Sequence, residues 1–573
     1  MEIQKGAEVQ PWEDRGGAGP SRWLPLAAVA LCLAVAVGYC VAKRGFFVDE
    51  VWSYGYANSH YAPFLSDVAG GDLSGATLTR RDLLDYVSVG EGERMDAGSV
   101  LHNQEGDLHP PLFGLALNAA SSLAPGAWSK WAGLGLNLAC HAVALVALWA
   151  LLRELGCSRA ACACGVALWG LSRAGLSDVL YIRMYEMLTA LTVLLALELA
   201  ALMREGASGG ARRLLPAAVG ATVFLGLMTQ YYFAIYAFLA CLAAGTHLLR
   251  RRRLGEAGAL AACALAGVGL FLLAWPAALA HLGAHNSSSG VSGGDALTRF
   301  VDLAAWPEKF SQFGEYIIRD MSIAIAWLLS AWIAVHLGRR KTQVPTTERD
   351  GTSSIIVAIL VPVPIVIILI IIIAPYLSPR YLYSSLPLVA AGTALSLDTW
   401  FRQIPESQRR RKVIFVTGTT MAVLLLLCVV MKPMYLGDYE YAQRKTVAPY
   451  AAGPCVYLIK RGYTDAGLAN LSITADMLQL MEFEDVHVET DPASAGIAAY
   501  LASKGDPDEV VLYVDVSGTA STRAGEGTAS TRAGEGTARE VAGRLGYSRC
   551  TYVKGYMGAG DGYNLSETYL LER

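Results

Sequence analysis

Charge is scarce in this chain. Only 17% of its 573 residues are Asp, Glu, Lys or Arg, where a soluble protein of that length carries about a quarter. The two signs nearly cancel, at a formal −3, so there is no basic excess to suit a nucleic-acid partner. No glycine-rich loop of the kind that cradles nucleotide phosphates stands out, and no nucleotide site is expected. The first apolar block, about 23–42, lacks a small-residue cleavage site and is too long for the core of a secretory signal. It is read as a retained helix.

Apolar sequence is what the chain has in abundance, at 54% of residues. It is concentrated in blocks of roughly 17–24 residues, long enough to cross a ~30 Å hydrocarbon core. The expected spans are 23–42, 129–152, 158–176, 186–203, 214–229, 231–249, 257–279, 321–338, 354–374, 381–399 and 413–431. The fold class is therefore a polytopic α-helical membrane protein with about 11 transmembrane helices. A further stretch, 110–123, is short and follows two prolines. It is read as a juxtamembrane helix in the outer interface, with proline at its start where a missing N–H costs little.

Loop charge orients the chain, because short cytoplasmic loops are enriched in Lys and Arg. If 110–123 does not cross, the basic groups at Arg153 and Arg159, Arg204 to Arg213, Arg250 to Arg253, Arg339 to Lys341 and Arg402 to Lys412 all fall inside. If it crosses, the first three fall outside. The first arrangement puts residues 1–22 in the cytoplasm and the C-terminal segment outside a plasma membrane. Lys43 and Arg44 count against it. The domains then expected are a transmembrane catalytic domain over 23–431, with a first outer loop at about 43–128, and an extracytoplasmic domain over 432–573.

That C-terminal segment alternates strand-like runs (456–459, 486–489, 510–516, 551–553) with helix-like ones (near 464–482, 492–503 and 537–545), which suggests a small α/β domain. Within it the nine residues TASTRAGEG occur twice in tandem over 519–536, a polar surface loop by composition. Cys455 and Cys550 also lie here; an outward-facing domain lets them pair, and two buried thiols is the equal alternative.

Four short stretches carry chemistry. Phe46-Phe47-Val48-Asp49-Glu50-Val51-Trp52 follows the first span directly. A partly desolvated carboxylate beside a second one binds protons more tightly, which suits a base that deprotonates a hydroxyl; the alternative is a solvated acidic pair marking the interface. His109, in Asp107-Leu108-His109-Pro110-Pro111, can donate to a phosphate or simply sit exposed at the interface. Arg183 and Tyr185, in Tyr181-Ile182-Arg183-Met184-Tyr185, and Arg380 and Tyr381, in Ser378-Pro379-Arg380-Tyr381, stand at the outer ends of helices. Arginine there makes a phosphate site or snorkels to the interface. Gln230-Tyr231-Tyr232 lies on the same side. Under the charge-based topology all of these groups map to one face, as a phosphate-linked donor and a hydroxyl acceptor require.

This ordered set, covering roughly 23–400, resembles the GT-C glycosyltransferase superfamily, in particular the bacterial branch related to protein O-mannosyltransferases and lipid A aminoarabinose transferase. The resemblance implies a catalytic first-loop acid, here Asp49, with Glu50 as its partner. It implies a polyprenyl-monophosphate sugar donor entering from the bilayer, and a protein, lipid or glycan acceptor. Inverting single displacement would then use Asp49 as base, with Arg183, Tyr185, Arg380, Tyr381 and His109 on the departing phosphate. No cofactor is certain. A divalent metal ion is left open, since some members of the superfamily hold one on first-loop carboxylates. A secondary transporter and a non-catalytic envelope assembly protein are the rival readings of a chain with this many spans.

Overall fold

The computed structural model describes residues 23–107, 109–205, 210–283, 285–286, 291–292, 295–339, 350–460, 471–517, 532–557 and 564–573. The N-terminal segment 1–22 expected to be cytoplasmic, most of the tandem repeat and the start of the expected 464–482 helix lie outside these residues. The chain divides into two compact units: residues 1–41, 137–280 and 295–434 form the first, and 42–136, 281–294 and 435–573 the second.

The first unit is helical. Among the described residues seven helices are long and apolar enough to span a membrane: Leu24–Ala42, Lys130–Glu154, Tyr185–Met203, Phe233–Arg250, Leu254–Ala274, Ser353–Ile373 and Glu406–Val430. The protein is a multi-pass membrane protein. The other four expected spans correspond to helices that fall short of that measure. Residues 158–176 are broken where Arg159–Gly170 ends and Ser172 caps a new helix, its Oγ accepting the Gly175 N–H at 3.0 Å. Gly210–Thr229 has Pro216 inside it. Trp306–Arg339 is kinked at Met321, whose φ of −127° leaves the helical region. Leu386–Gln403 follows a 3-10 turn, Pro379–Ser385, rather than starting at 381. Small residues set helix spacing in lipid. At Gly267 of the Leu254–Ala274 helix an added Cβ would lie 2.3 Å from the Gly220 carbonyl oxygen, so these two helices meet backbone to backbone.

The second unit is built on a sheet. Its strands are β1 (Thr77–Thr79), β4 (Cys455–Leu458), β5 (Asp485–Glu489), β6 (Glu509–Asp515), β7 (Arg549–Met557) and β8 (Asn564–Glu572); β2 (His285–Asn286) and β3 (Val291–Ser292) form a separate two-residue ladder. The sheet order is β1-β5-β4-β6-β8-β7. β4 runs parallel to β5 and β6, and the rest pair antiparallel. Val456, Leu458, Val510, Leu512, Val514, Tyr569 and Leu571 pack with Ile497, Leu501 and Val541 of helices Ala495–Ser503 and Glu535–Leu545 to form the core. The α/β expectation for the C-terminal segment matches this sheet, with one difference. The edge strand β1 comes from the first long loop, and Leu78 pairs with Val486. That loop groups with the C-terminal residues rather than with the helical bundle.

All eleven cysteines are free thiols. Cys455 on β4 and Cys550 on β7 stand three strand positions apart, about 14 Å at the usual interstrand spacing, and a disulfide needs Cα atoms within about 7 Å. Alkylation of the denatured protein is therefore expected to label both residues equally with and without reductant; a mass shift appearing only after reduction would contradict this.

Candidate functional site

The Asp49-Glu50 stretch begins the helix Val48–Asn58. The two carboxylates have different fates. Glu50 is fully buried. Its Oε2 accepts the Phe47 N–H at 2.8 Å, satisfying a donor at the helix start. Both its oxygens accept from Lys43 Nζ, at 3.0 and 2.9 Å, and Lys43 is buried as well. Asp49, one position earlier, is half-buried. Glu50 therefore does not stand beside Asp49 as a bare like charge, because the Lys43 ammonium matches it. Lys43, which counted as an adverse loop charge in the sequence, is an internal counter-ion.

The segment leading into this helix is clamped. Lys43 Nζ also donates to the Tyr435 carbonyl at 2.5 Å, and the Arg44 N–H to the Leu436 carbonyl at 2.8 Å. A Cβ on Gly45 would lie 2.8 Å from the Gly437 oxygen. One on Gly437, which has φ of +70°, would lie 2.4 Å from the Gly45 nitrogen. Only glycine allows two backbones that close, and the positive φ favours it further. Phe46 stacks on Trp128 at 4.3 Å, and Tyr54 Oη donates to the Ser129 carbonyl at 2.7 Å. Asp49 thus sits on a helix whose first turn is fixed from several sides.

Glu440 lies in the same clamp and is buried. Burial pushes its carboxyl up to about 7, with Lys43 opposing and Glu50 adding to the rise. A carboxyl raised in the folded state binds its proton more tightly there than when unfolded. Its contribution to stability is full below the ordinary glutamate range and is lost as pH climbs to about 7. The thermal midpoint is expected to fall between pH 5 and pH 8, with a contribution on the order of 3 kcal/mol. Glu440→Gln should remove that part of the slope; an identical slope in the variant would refute it.

His109 belongs to the loop before the helix Leu112–Ser121, and its Nδ1 lies 2.9 Å from Asp107 Oδ2. An imidazole paired with a carboxylate is held in one orientation. Asp107, unremarked in the sequence, is that partner. The helix it leads into packs on Val48–Asn58, where Asn118 Nδ2 donates to the Ala57 carbonyl at 2.8 Å.

In the first unit the two arginine-bearing corners meet. Arg380 Nη1 donates to Tyr181 Oη at 2.7 Å, and its guanidinium lies 5.4 Å from the Tyr381 ring centroid. Tyr181 and Tyr185 stack at 5.7 Å, Tyr381 meets Tyr185 edge-on at 6.2 Å, and Tyr232 meets Tyr381 at 5.8 Å. Arg183, between the stacked tyrosines in sequence, is buried. The corner is anchored from behind: Asn137 Nδ2 donates to the Val179 and Tyr181 carbonyls at 3.0 and 2.7 Å, and His141 Nδ1 lies 3.0 Å from Glu186 Oε1. Arg380, Tyr381 and Tyr185 are therefore one cluster, to which Tyr181 and Tyr232 add. A guanidinium ringed by phenols, at a helix start, is chemically suited to an anionic oxygen.

Among the described residues no group of three or more His, Cys, Asp or Glu side chains is disposed to hold a metal ion. No family model matches the chain, and no curated protein matches it. Among solved structures the chain is similar to ArnT from Cupriavidus metallidurans bound to undecaprenyl phosphate, with 12% identity over 95% of this chain and 97% of that one and a TM-score of 0.46. It is similar to the archaeal oligosaccharyltransferase AglB from Archaeoglobus fulgidus in complex with an inhibitory peptide and a dolichol-phosphate, with 10% identity over 86% and 70% and a TM-score of 0.41. It is also similar to the arabinofuranosyltransferase AftD from Mycobacteria, with 15% identity over 97% of this chain but 40% of that one and a TM-score of 0.42. These identities and TM-scores are too low to carry a functional argument; the chain's own residues carry the one below.

Proposed function

We propose that this protein is a membrane glycosyltransferase of the GT-C type. It moves a sugar from a polyprenyl-monophosphate carrier to a hydroxyl of a protein, lipid or glycan on the extracytoplasmic face. The observation that carries this reading is the division of labour in the acidic pair. Glu50 is held by Lys43 and the helix start, and Asp49 stands half-buried in the first turn of the same clamped helix. A fixed, partly desolvated carboxylate is what general-base catalysis asks for.

In the reaction, the acceptor hydroxyl gives its proton to the Asp49 carboxylate as its oxygen attacks the anomeric carbon. The bond from that carbon to the carrier phosphate breaks, and configuration inverts. The leaving phosphate gains negative charge, and a preorganised guanidinium stabilises it. Arg380, backed by Tyr181, Tyr185 and Tyr381, is assigned this role, with Arg183 and His109 as further phosphate ligands.

Replacing Arg380 with Ala is expected to raise the apparent KM for donor by about 10- to 100-fold, the worth of one charge-assisted hydrogen bond. An unchanged KM removes Arg380 from the donor site. The reading as a whole is tested by incubating the purified protein with a panel of polyprenyl-phosphate sugars and an acceptor extract. Release of free polyprenyl phosphate with one of them is the expected result; no release with any, from folded protein, overturns it.

A further inference from the structure

Phe233–Arg250 and Leu254–Ala274 are both of membrane length, and only Arg251, Arg252 and Arg253 separate them. A turn that short between two spans lies at a membrane surface. Its backbone closes the first helix: the Arg252 N–H donates to the Leu249 carbonyl at 3.0 Å and the Arg253 N–H to the Leu248 carbonyl at 2.9 Å. Such an ending puts its middle residue in the left-handed region, and Arg252 has φ of +57°. Glycine takes that conformation without strain. The chain carries an arginine there instead, within a run of four. A position where backbone and residue type disagree points to a use for the side chain.

The other arginines beside this turn are occupied. Arg253 Nε donates to Glu256 Oε1 at 2.9 Å, and its Nη1 and Nη2 donate to the Met203 and Leu202 carbonyls at 2.8 and 2.5 Å, closing the end of Tyr185–Met203. Arg251 pairs with Glu205 at 3.6 Å, Arg204 with Glu154 at 3.1 Å and Arg212 with Glu256 at 3.4 Å. Arg250 and Arg252 differ. Both are exposed, and neither has a hydrogen bond or an acidic partner among the described residues. Leu249 and Leu254, which flank the turn, are 54% and 66% exposed. Two accessible, uncompensated guanidiniums between exposed leucines match an anion that carries hydrocarbon. An acidic protein or a nucleic acid would leave the leucines unused.

We propose that this turn binds the headgroup of an anionic phospholipid. Phosphodiester oxygens accept from the Arg250 and Arg252 guanidiniums, and the acyl chains run beside Leu249 and Leu254. Both guanidiniums are open to the exterior, so the headgroup reaches them without displacing any part of the protein. Each arginine near an anionic leaflet strengthens association about fivefold. On the topology expected from loop charge the turn is cytoplasmic, the side on which anionic headgroups are enriched. The inference rests on the membrane placement of the chain and not on the glycosyltransferase reading.

The test is native mass spectrometry of the full-length protein in detergent, supplied with equal phosphatidylglycerol and phosphatidylcholine. At least tenfold preferential retention of phosphatidylglycerol is expected, unaffected by a tenfold excess of inorganic phosphate over lipid. Arg252→Gly should cut that preference by about fivefold while the thermal midpoint holds, because glycine suits the φ of +57°. Arg250→Gln, an exposed change in the last helical turn, should cut it similarly and leave the protein folded. The double variant should retain the two lipids about equally. Equal retention by the wild type, displacement by inorganic phosphate, or an undiminished preference in either folded single variant overturns the proposal.

Discussion

Asp49→Asn is expected to lower turnover by about 100- to 10,000-fold, the usual contribution of a positioned general base, while leaving the protein folded. The substitution is isosteric, and the position is half-buried rather than sealed. The substitution removes one favourable charge from the first turn of a helix, on the order of 0.3–1 kcal/mol. Glu50 cannot take over, because its oxygens are committed to Lys43 and the Phe47 N–H. Asp49→Glu, which keeps the acid but shifts it by a methylene, should retain part of the activity. The checks are initial rates of polyprenyl phosphate release alongside the thermal midpoint. Wild-type turnover by the Asn variant would remove Asp49 from the chemistry.

The second large effect concerns the residue behind it. Lys43→Met leaves a fully buried carboxylate without its counter-ion, which typically costs about 3–5 kcal/mol. Poor expression or a strongly lowered thermal midpoint is expected. Adding Glu50→Gln to that variant removes the stranded charge and keeps an oxygen for the Phe47 N–H, so most of the lost stability should return. If the pair also positions Asp49, the double variant will be folded yet slow, with kcat reduced more than KM. A Lys43→Met protein as stable as the wild type would show that the buried pair contributes nothing net.

Long apolar runs were legible in the sequence because length and hydropathy alone define a membrane-length helix. Residues 158–176 show the limit. Their composition is apolar throughout, yet Ser172 supplies a cap and splits the run. Strands β4, β5 and β6 were visible as short apolar runs. β8 was not, because its Asn-Leu-Ser-Glu-Thr start looks like a loop. The polar residues are used inside: Ser566 Oγ donates to the buried Asp476 at 2.6 Å, beside the Tyr457 hydroxyl at 3.0 Å. In the candidate site the acidic pair and the arginine corners stood out by residue type. Lys43 did not, since a lysine at the end of a span reads as interfacial until its partner seven positions on is seen to be buried with it. The Gly45–Gly437 approach joins positions so far apart that no local pattern announces it. Tyr181 and Tyr232 were within quoted motifs, but their shared cluster depends on how four helix ends pack.

The β1–β5 pairing has a consequence for how the protein is made. Thr77 and His487 face each other across the ladder 410 positions apart. At roughly 5–20 residues per second of synthesis, the edge strand waits about 20–80 s for its neighbour to leave the ribosome. During that interval it is an unpaired ribbon, open to the wrong partner. A length of only three residues offers little for such a partner to grip, so brevity protects the nascent chain, and the late arrival of β5 postpones closure of that edge until most of the chain has been made.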